Sequence, residues 1–250
     1  MTLFDRILHR RHLRHWERAA AAGQDMATED LRTARSRAQQ LRHRLDRALH
    51  VAEGQLAGGA RDLRALDPMA DWVWRPDLWN GPVAPHGLTN FATGAAFGDH
   101  SKVFHDCPIC ELALRQMRNE GAAGVAPFGV RLEVFRFEGT FVSLAIELPE
   151  DAVSGLTRRN VVNLGSVIDV EKPVEAFGRL SLRQGPNTRR IVREIDMRDR
   201  SAVTEFDIGY SEATDQPVAN AWLELIFDVP TMNEISLTDM FLSRRPRAEL

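Results

Sequence analysis

The sequence predicts a mainly β protein: an antiparallel β-sandwich of the jelly-roll kind, preceded by N-terminal α-helices. Three observations lead there. Residues 1–56 repeat apolar side chains at three- and four-residue spacing. From Asp71 the period changes to two, with turn residues between the runs. No helix-length pattern separates those runs, which excludes a parallel α/β sheet.

Residues 2–20 read as a short amphipathic helix with Leu3, Ile7, Leu13, Trp16 and Ala20 on one side. After a break at Ala21–Ala27, Thr28 is placed as an N-cap, and Glu29 and Asp30 suit the positive end of a helix dipole. Leu31, Ala34, Ala38, Leu41, Leu45, Ala48 and Ala52 then occupy the a and d positions of a heptad seam flanked by arginine. Gly54, Gly58 and Gly59 are expected to end this helix and form a linker. Residues 1–60 are thus read as a helical, coiled-coil-like anchoring segment and residues 61–250 as the sandwich. Self-association, or docking to another protein, is expected through residues 1–56.

In the second part, Val130, Leu132 and Val134 alternate with Arg131 and Glu133, and Val142, Leu144, Ile146 and Leu148 follow the turn Glu138-Gly139 as the other half of a hairpin. Further strands are expected at Val161–Val170, Val174–Leu182, Arg190–Met197, Val203–Tyr210, Ala221–Val229 and Glu234–Leu242. Asp151–Arg159 is expected to hold one helical turn. In the run to Val229, Leu223, Leu225 and Phe227 form one apolar face opposed by Glu224 and Asp228.

The net charge of −3 is unevenly spread. Residues 1–50 hold eleven arginines against six acids, so the remainder carries −8. An acidic body argues against nucleic acid as a partner. No stretch approaches the roughly 20 apolar residues of a membrane span. Arg10, Arg11, Arg14 and Arg18 interrupt the basic N-terminus, unlike a secretory signal. Synthesis in the cytoplasm is expected, with a later passage outside by cell lysis or inside a particle left open. Two cysteines, Cys107 and Cys110, form no disulfide framework.

Candidate chemistry is sparse. Trp72, Trp74 and Trp79 cluster beside Arg75, Asp77 and Asn80; flat indoles next to polar groups suit a sugar, and Trp72 and Trp74 share one face of a strand. The same rings also suit a core. Cys107-Pro108-Ile109-Cys110 resembles the active-site entry of thioredoxin-like oxidoreductases, if a helix begins at Cys107; Leu112 and Leu114 also alternate as in a strand. His100, His105, Cys107 and Cys110 are a ligand set zinc accepts, without the second, distant pair a structural site uses. The loop Pro82–Asp99 is long enough to be a lid or a contact. Acids such as Glu133, Glu147, Glu194 and Glu224 read as outward strand positions, and no hydrolase or nucleotide motif occurs. The chain is therefore expected to be no enzyme, with no cofactor and no metal.

Asn220–Phe227 followed by Asn233–Leu242, with its Ile235, Leu237, Asp239 and Leu242, is similar to the closing strands of galactose-binding-like, carbohydrate-binding-module jelly rolls. The Trp74-Arg75-Pro76 and Trp79–Pro82 stretches, the Phe104–Cys107 run and the helical leader also resemble the head-spike proteins of alphaproteobacterial gene transfer agents, phage-like particles that dock on capsular polysaccharide. The resemblance implies a non-catalytic, carbohydrate-binding-like structural protein of such a spike, with polysaccharide as its partner. Trp72, Trp74 and Trp79 are its expected ligand surface. A structural adaptor that bridges proteins without binding glycan is the alternative, and a thiol oxidoreductase the third reading.

Overall fold

The computed structural model describes residues 3–22, 26–56, 63–119, 126–211, 213–214 and 216–247. The chain divides into two compact units, Met1–Ala52 and Glu53–Leu250. The expected linker glycines Gly58 and Gly59, and the expected boundary at 60/61, lie outside the described residues.

In the first unit, α1 runs from Leu3 to Ala21, and α2 begins at Thr28 and ends at Leu56, one turn past the unit's boundary. The hydrogen bond from Leu31 N–H to the Ala27 carbonyl, 3.0 Å, makes Ala27 the capping residue of α2, one before the expected Thr28. Gly54 lies inside the helix and does not end it. Among the described residues no helix is long and apolar enough to cross a membrane.

The second unit is an antiparallel sandwich. Its strands are β1 (Trp72–Trp74), β2 (Gly87–Thr89), β3 (Ala95–Ala96), β4 (Ser101–His105), β5 (Cys110–Arg118), β6 (Phe128–Phe137), β7 (Phe141–Glu147), β8 (Asn160–Val170), β9 (Ala176–Gln184), β10 (Asn187–Glu194), β11 (Ser201–Asp207), β12 (Asn220–Asp228) and β13 (Asn233–Pro246). Two single helical turns, α3 (Asp77–Asn80) and α4 (Glu150–Val153), interrupt them. One sheet has the order β11-β8-β13-β6-β5-β2, with β1 on β13; the other has the order β10-β9-β12-β7-β4-β3. The loop Pro82–Asp99 is thus not loop alone, because it supplies edge strands β2 and β3, one to each sheet.

The two inner faces meet in the core. Leu164, Ile235 and Leu242 from the first sheet and Ile146, Leu180, Leu223 and Leu225 from the second are wholly buried. The alternation in β12 produces this directly, since every second residue turns inward.

One expected pairing is corrected. β6 and β7 follow one another through Glu138–Thr140 but do not form a hairpin: β6 pairs with β5 and β13, and β7 with β4 and β12. The turn crosses from one sheet to the other. Asp106 fastens it, its carboxylate accepting from the Thr140 N–H (2.8 Å), the Thr140 hydroxyl (2.6 Å) and the Phe141 N–H (3.3 Å). A side chain at position 139 would bring a Cβ within 2.4 Å of the same carboxylate, so glycine is required there by close approach.

The Thr140 hydroxyl, followed by the two backbone donors, holds the Asp106 carboxyl below its ordinary value against the opposing effect of burial. A depressed carboxylate contributes stability that is present above its unfolded value and lost as pH falls through the folded one. Wild-type melting temperature is therefore expected to fall below about pH 4. Asp106→Asn is expected to melt lower at neutral pH and to show a shallower decline in acid. Melting curves of both proteins across that range check it.

The core also contains a buried ion pair. Arg75 grips Asp239 with two bonds, Nε to Oδ1 at 3.0 Å and an Nη to Oδ2 at 2.8 Å, and the Ala126 N–H adds a third donor at 3.2 Å. Both residues are more than nine-tenths buried. Asp239 stands just past an irregularity in β13 between Leu237 and Asp239, where the register to β8 shifts.

Candidate ligand-binding face

The expected tryptophan surface separates into parts. Trp79 is fully buried in α3, and its indole N–H donates to the Leu237 carbonyl at 3.0 Å. It is core, which corrects its expected place on a ligand surface: a ring with no exposed face presents nothing to a sugar. Trp72 and Trp74 are half-buried and stack on each other, ring centroids 6.2 Å apart at 26°. In register, Trp74 lies opposite Leu242 and so on the inward side of its strand; Trp72, opposite Arg244, donates its indole N–H to Asp151 at 3.1 Å. The pair packs against the core cluster at one margin of the first sheet.

The cysteines stand at a strand. The residues after Cys107 enter β5 at Cys110, so no helix N-terminus faces Cys107, and the thioredoxin-like entry is overturned. Cys107 is buried, its Sγ donating to the Ile109 carbonyl at 2.9 Å and accepting the Glu138 N–H at 3.1 Å. Burial, then the neighbouring Cys107, pushes the Cys110 thiol up from its ordinary value, the opposite of an activated thiolate. Among the described residues no three His, Cys, Asp or Glu side chains converge as a metal site.

A different aromatic lies on an open sheet face. Because Leu223, Leu225 and Phe227 of β12 turn inward, Trp222, Glu224 and Ile226 turn outward, and the register extends this outer face across neighbouring strands. Trp222 lies between Glu147 of β7 and Ser181 of β9, Glu224 between Ala145 and Arg179, and Asn220 beside Arg183. Lys102 and Phe104 of β4 complete the row beyond β7. Small residues at Ala145 and Ala96 leave a hollow there, a cleft of about 470 Å³ bordered by Lys102, Phe104, Glu147, Arg183 and Trp222.

Polar groups ring the half-buried indole. Asn220 Nδ2 donates to Glu147 at 3.4 Å, which orients both, while Arg179 Nε binds Glu224 at 2.7 Å. Arg183 and Lys102 stand exposed on the same face. Glu147 and Asn220 also border a second hollow, of about 770 Å³, between the α4 segment and the chain leading into β12; Thr157, Gln216 and Pro217 line it. The two hollows adjoin at those two residues, one on the sheet face and one at the end of the sandwich. A flat apolar ring with amide, carboxylate and cationic groups around it can take a polyhydroxylated ligand: C–H groups against the indole, hydroxyls to the polar rim.

Sequence reasoning passed over Trp222 as a site. The signal was present in the clean inward face of Leu223, Leu225 and Phe227, which leaves the tryptophan just before them on the outside.

No curated protein sequence matches the chain. Among solved structures, the enzymatically active domain of tailspike protein 4 of bacteriophage CBA120 aligns at a TM-score of 0.42 with 6% identity, over 58% of this chain and 19% of the tailspike. The family 11 carbohydrate-binding module of Clostridium thermocellum, in complex with a mixed-linked tetrasaccharide, aligns at 0.39 with 7% identity, over 65% of this chain and 98% of the module. TmCBM61 in complex with β-1,4-galactotriose aligns at 0.36 with 15% identity, over 58% and 88% respectively. At these scores the likenesses carry no inference about ligand or activity. Over residues 1–250 the chain matches the model of a family of unknown function, DUF6478, and it belongs to that family.

Proposed function

We propose that the sandwich is a non-catalytic carbohydrate-binding unit that holds a linear polysaccharide segment on the outer face of β4, β7, β12 and β9. The observation that carries this is Trp222, a half-buried indole on an open sheet face, beside a cleft that adjoins, at Glu147 and Asn220, the hollow at the sandwich end. Two adjoining hollows suit several sugar units in a row better than one. Arg183, Asn220, Glu147 and Lys102 supply donors and acceptors along them.

Glycoside hydrolysis uses two carboxyl groups in acid and base or nucleophile roles. Glu224 is engaged by Arg179, which favours binding over cleavage on this face. Trp222→Ala tests the proposal: the full chain loses retention on polysaccharide while keeping its fold.

The finer form of the proposal places the chain on a phage-like gene transfer particle, helping its attachment to cell-surface polysaccharide. It rests on the resemblance of the Trp74–Pro76, Trp79–Pro82 and Phe104–Cys107 stretches and on the helical unit ahead of the sandwich. Co-sedimentation of the chain with purified particles supports that placement, and its absence from them overturns it.

A further inference from the structure

The seam of α2 carries arginine on both flanks. With Leu31, Ala38 and Leu45 at a and Ala34, Leu41 and Ala48 at d, the e positions include Arg35 and Arg42 and the g positions Asp30, Arg37 and Arg44, the four arginines all exposed. The seam is open at Leu31, 39% exposed, and at Leu45, 53% exposed, while Ala34, Ala38 and Leu41 between them are part-buried. Six arginines stand against three acids between Thr28 and Ala52.

A second copy is a poor occupant of this seam, for two reasons. In an antiparallel pair e faces e and g faces g, so Arg35 meets Arg42 and Arg37 meets Arg44, and both charged flanking contacts repel. In a parallel pair Asp30 meets Arg35 of the second copy favourably, but Arg37 meets its Arg42; the ion pair of Arg42 with Asp46 on its own helix, at 3.6 Å, offsets only part of that charge. An in-register pair also sets Ala34, Ala38 and Ala48 against their own copies, which buries little apolar area.

We propose that α2 docks an acidic amphipathic helix of a different protein, with large apolar residues opposite its alanines and Glu or Asp opposite Arg35, Arg37, Arg42 and Arg44. Such a partner turns each repulsive flank into an attractive one and fills the volume the alanines leave. It does not depend on glycan binding by the sandwich.

The test uses the full chain and two synthetic helical peptides with leucine at a and d, one bearing Glu and the other Lys at e and g. Three results are expected. The chain alone sediments as a monomer in physiological salt. It binds the Glu peptide at least roughly tenfold tighter than the Lys peptide, a preference that shrinks as salt rises. The exposed double substitution Arg35→Glu/Arg37→Glu reverses the preference, while the circular dichroism spectrum stays helical. The proposal is overturned if the chain self-associates through α2, shown by Leu31→Asp/Leu45→Asp restoring a monomer. It is equally overturned if the two peptides bind alike or neither binds.

Discussion

Asp239→Ala is expected to destabilise the sandwich by about 3–5 kcal/mol, because it leaves the Arg75 guanidinium buried with no opposing charge. For a unit of this size the melting temperature should fall by roughly 10 °C. The Ala126 N–H loses an acceptor at the same time. Arg75→Ala should cost a similar amount, by stranding the carboxylate instead. The double substitution Arg75→Met/Asp239→Leu should recover much of the loss, since a buried pair taken out as a unit is often replaced by apolar packing at little net cost. Urea unfolding midpoints of the single and double variants check this, and equal losses for single and double substitution would contradict it.

The second large effect is expected at Trp222. Truncation to alanine removes the largest aromatic ring at the cleft and should weaken polysaccharide binding by about 2 kcal/mol, roughly thirtyfold, as for a central aromatic anchor. Its stability cost should be smaller than that of a core tryptophan, because the ring stands on the outer face and is part exposed. Trp79→Ala is the contrasting case. Its fully buried ring fills core and its N–H satisfies the Leu237 carbonyl, so about 3–5 kcal/mol of stability should go while the folded fraction binds glycan as before. Intrinsic fluorescence and urea titration beside affinity chromatography separate the two outcomes.

How far the sequence could be read follows from which interactions are local. The inward run of Leu223, Leu225 and Phe227 made β12 legible, since a period of two is visible within one strand. Sheet membership was not legible. Glu138-Gly139 has the composition of a hairpin turn, yet what decides between hairpin and crossover is whether β6 finds β13 and β7 finds β12, about a hundred residues or more further along in the first case and eighty in the second. The tryptophans show the same limit. Alternation put Trp72 and Trp74 on one side of a strand, but only pairing with Leu242–Arg244 determines that this side turns toward the core. Trp79 lies in a single helical turn whose burial no short-range pattern announces. Cys107–Cys110 has the same residues whether a helix or a strand follows, and the alternation of Leu112 and Leu114 was the signal that the structure realises. The Asp239 of the closing strand was visible as part of a resemblance, while its role as the counter-ion of Arg75 depends on a contact across 164 positions.

The most direct measurement is retention of the full chain, wild type and Trp222→Ala, on a panel of bacterial capsular and cell-wall polysaccharides, with unfolding curves recorded on the same preparations. The account predicts that wild type is retained on at least one linear polysaccharide and that Trp222→Ala, equally folded, passes through. Retention of Trp222→Ala equal to wild type, or no retention of wild type on any polymer, would contradict it.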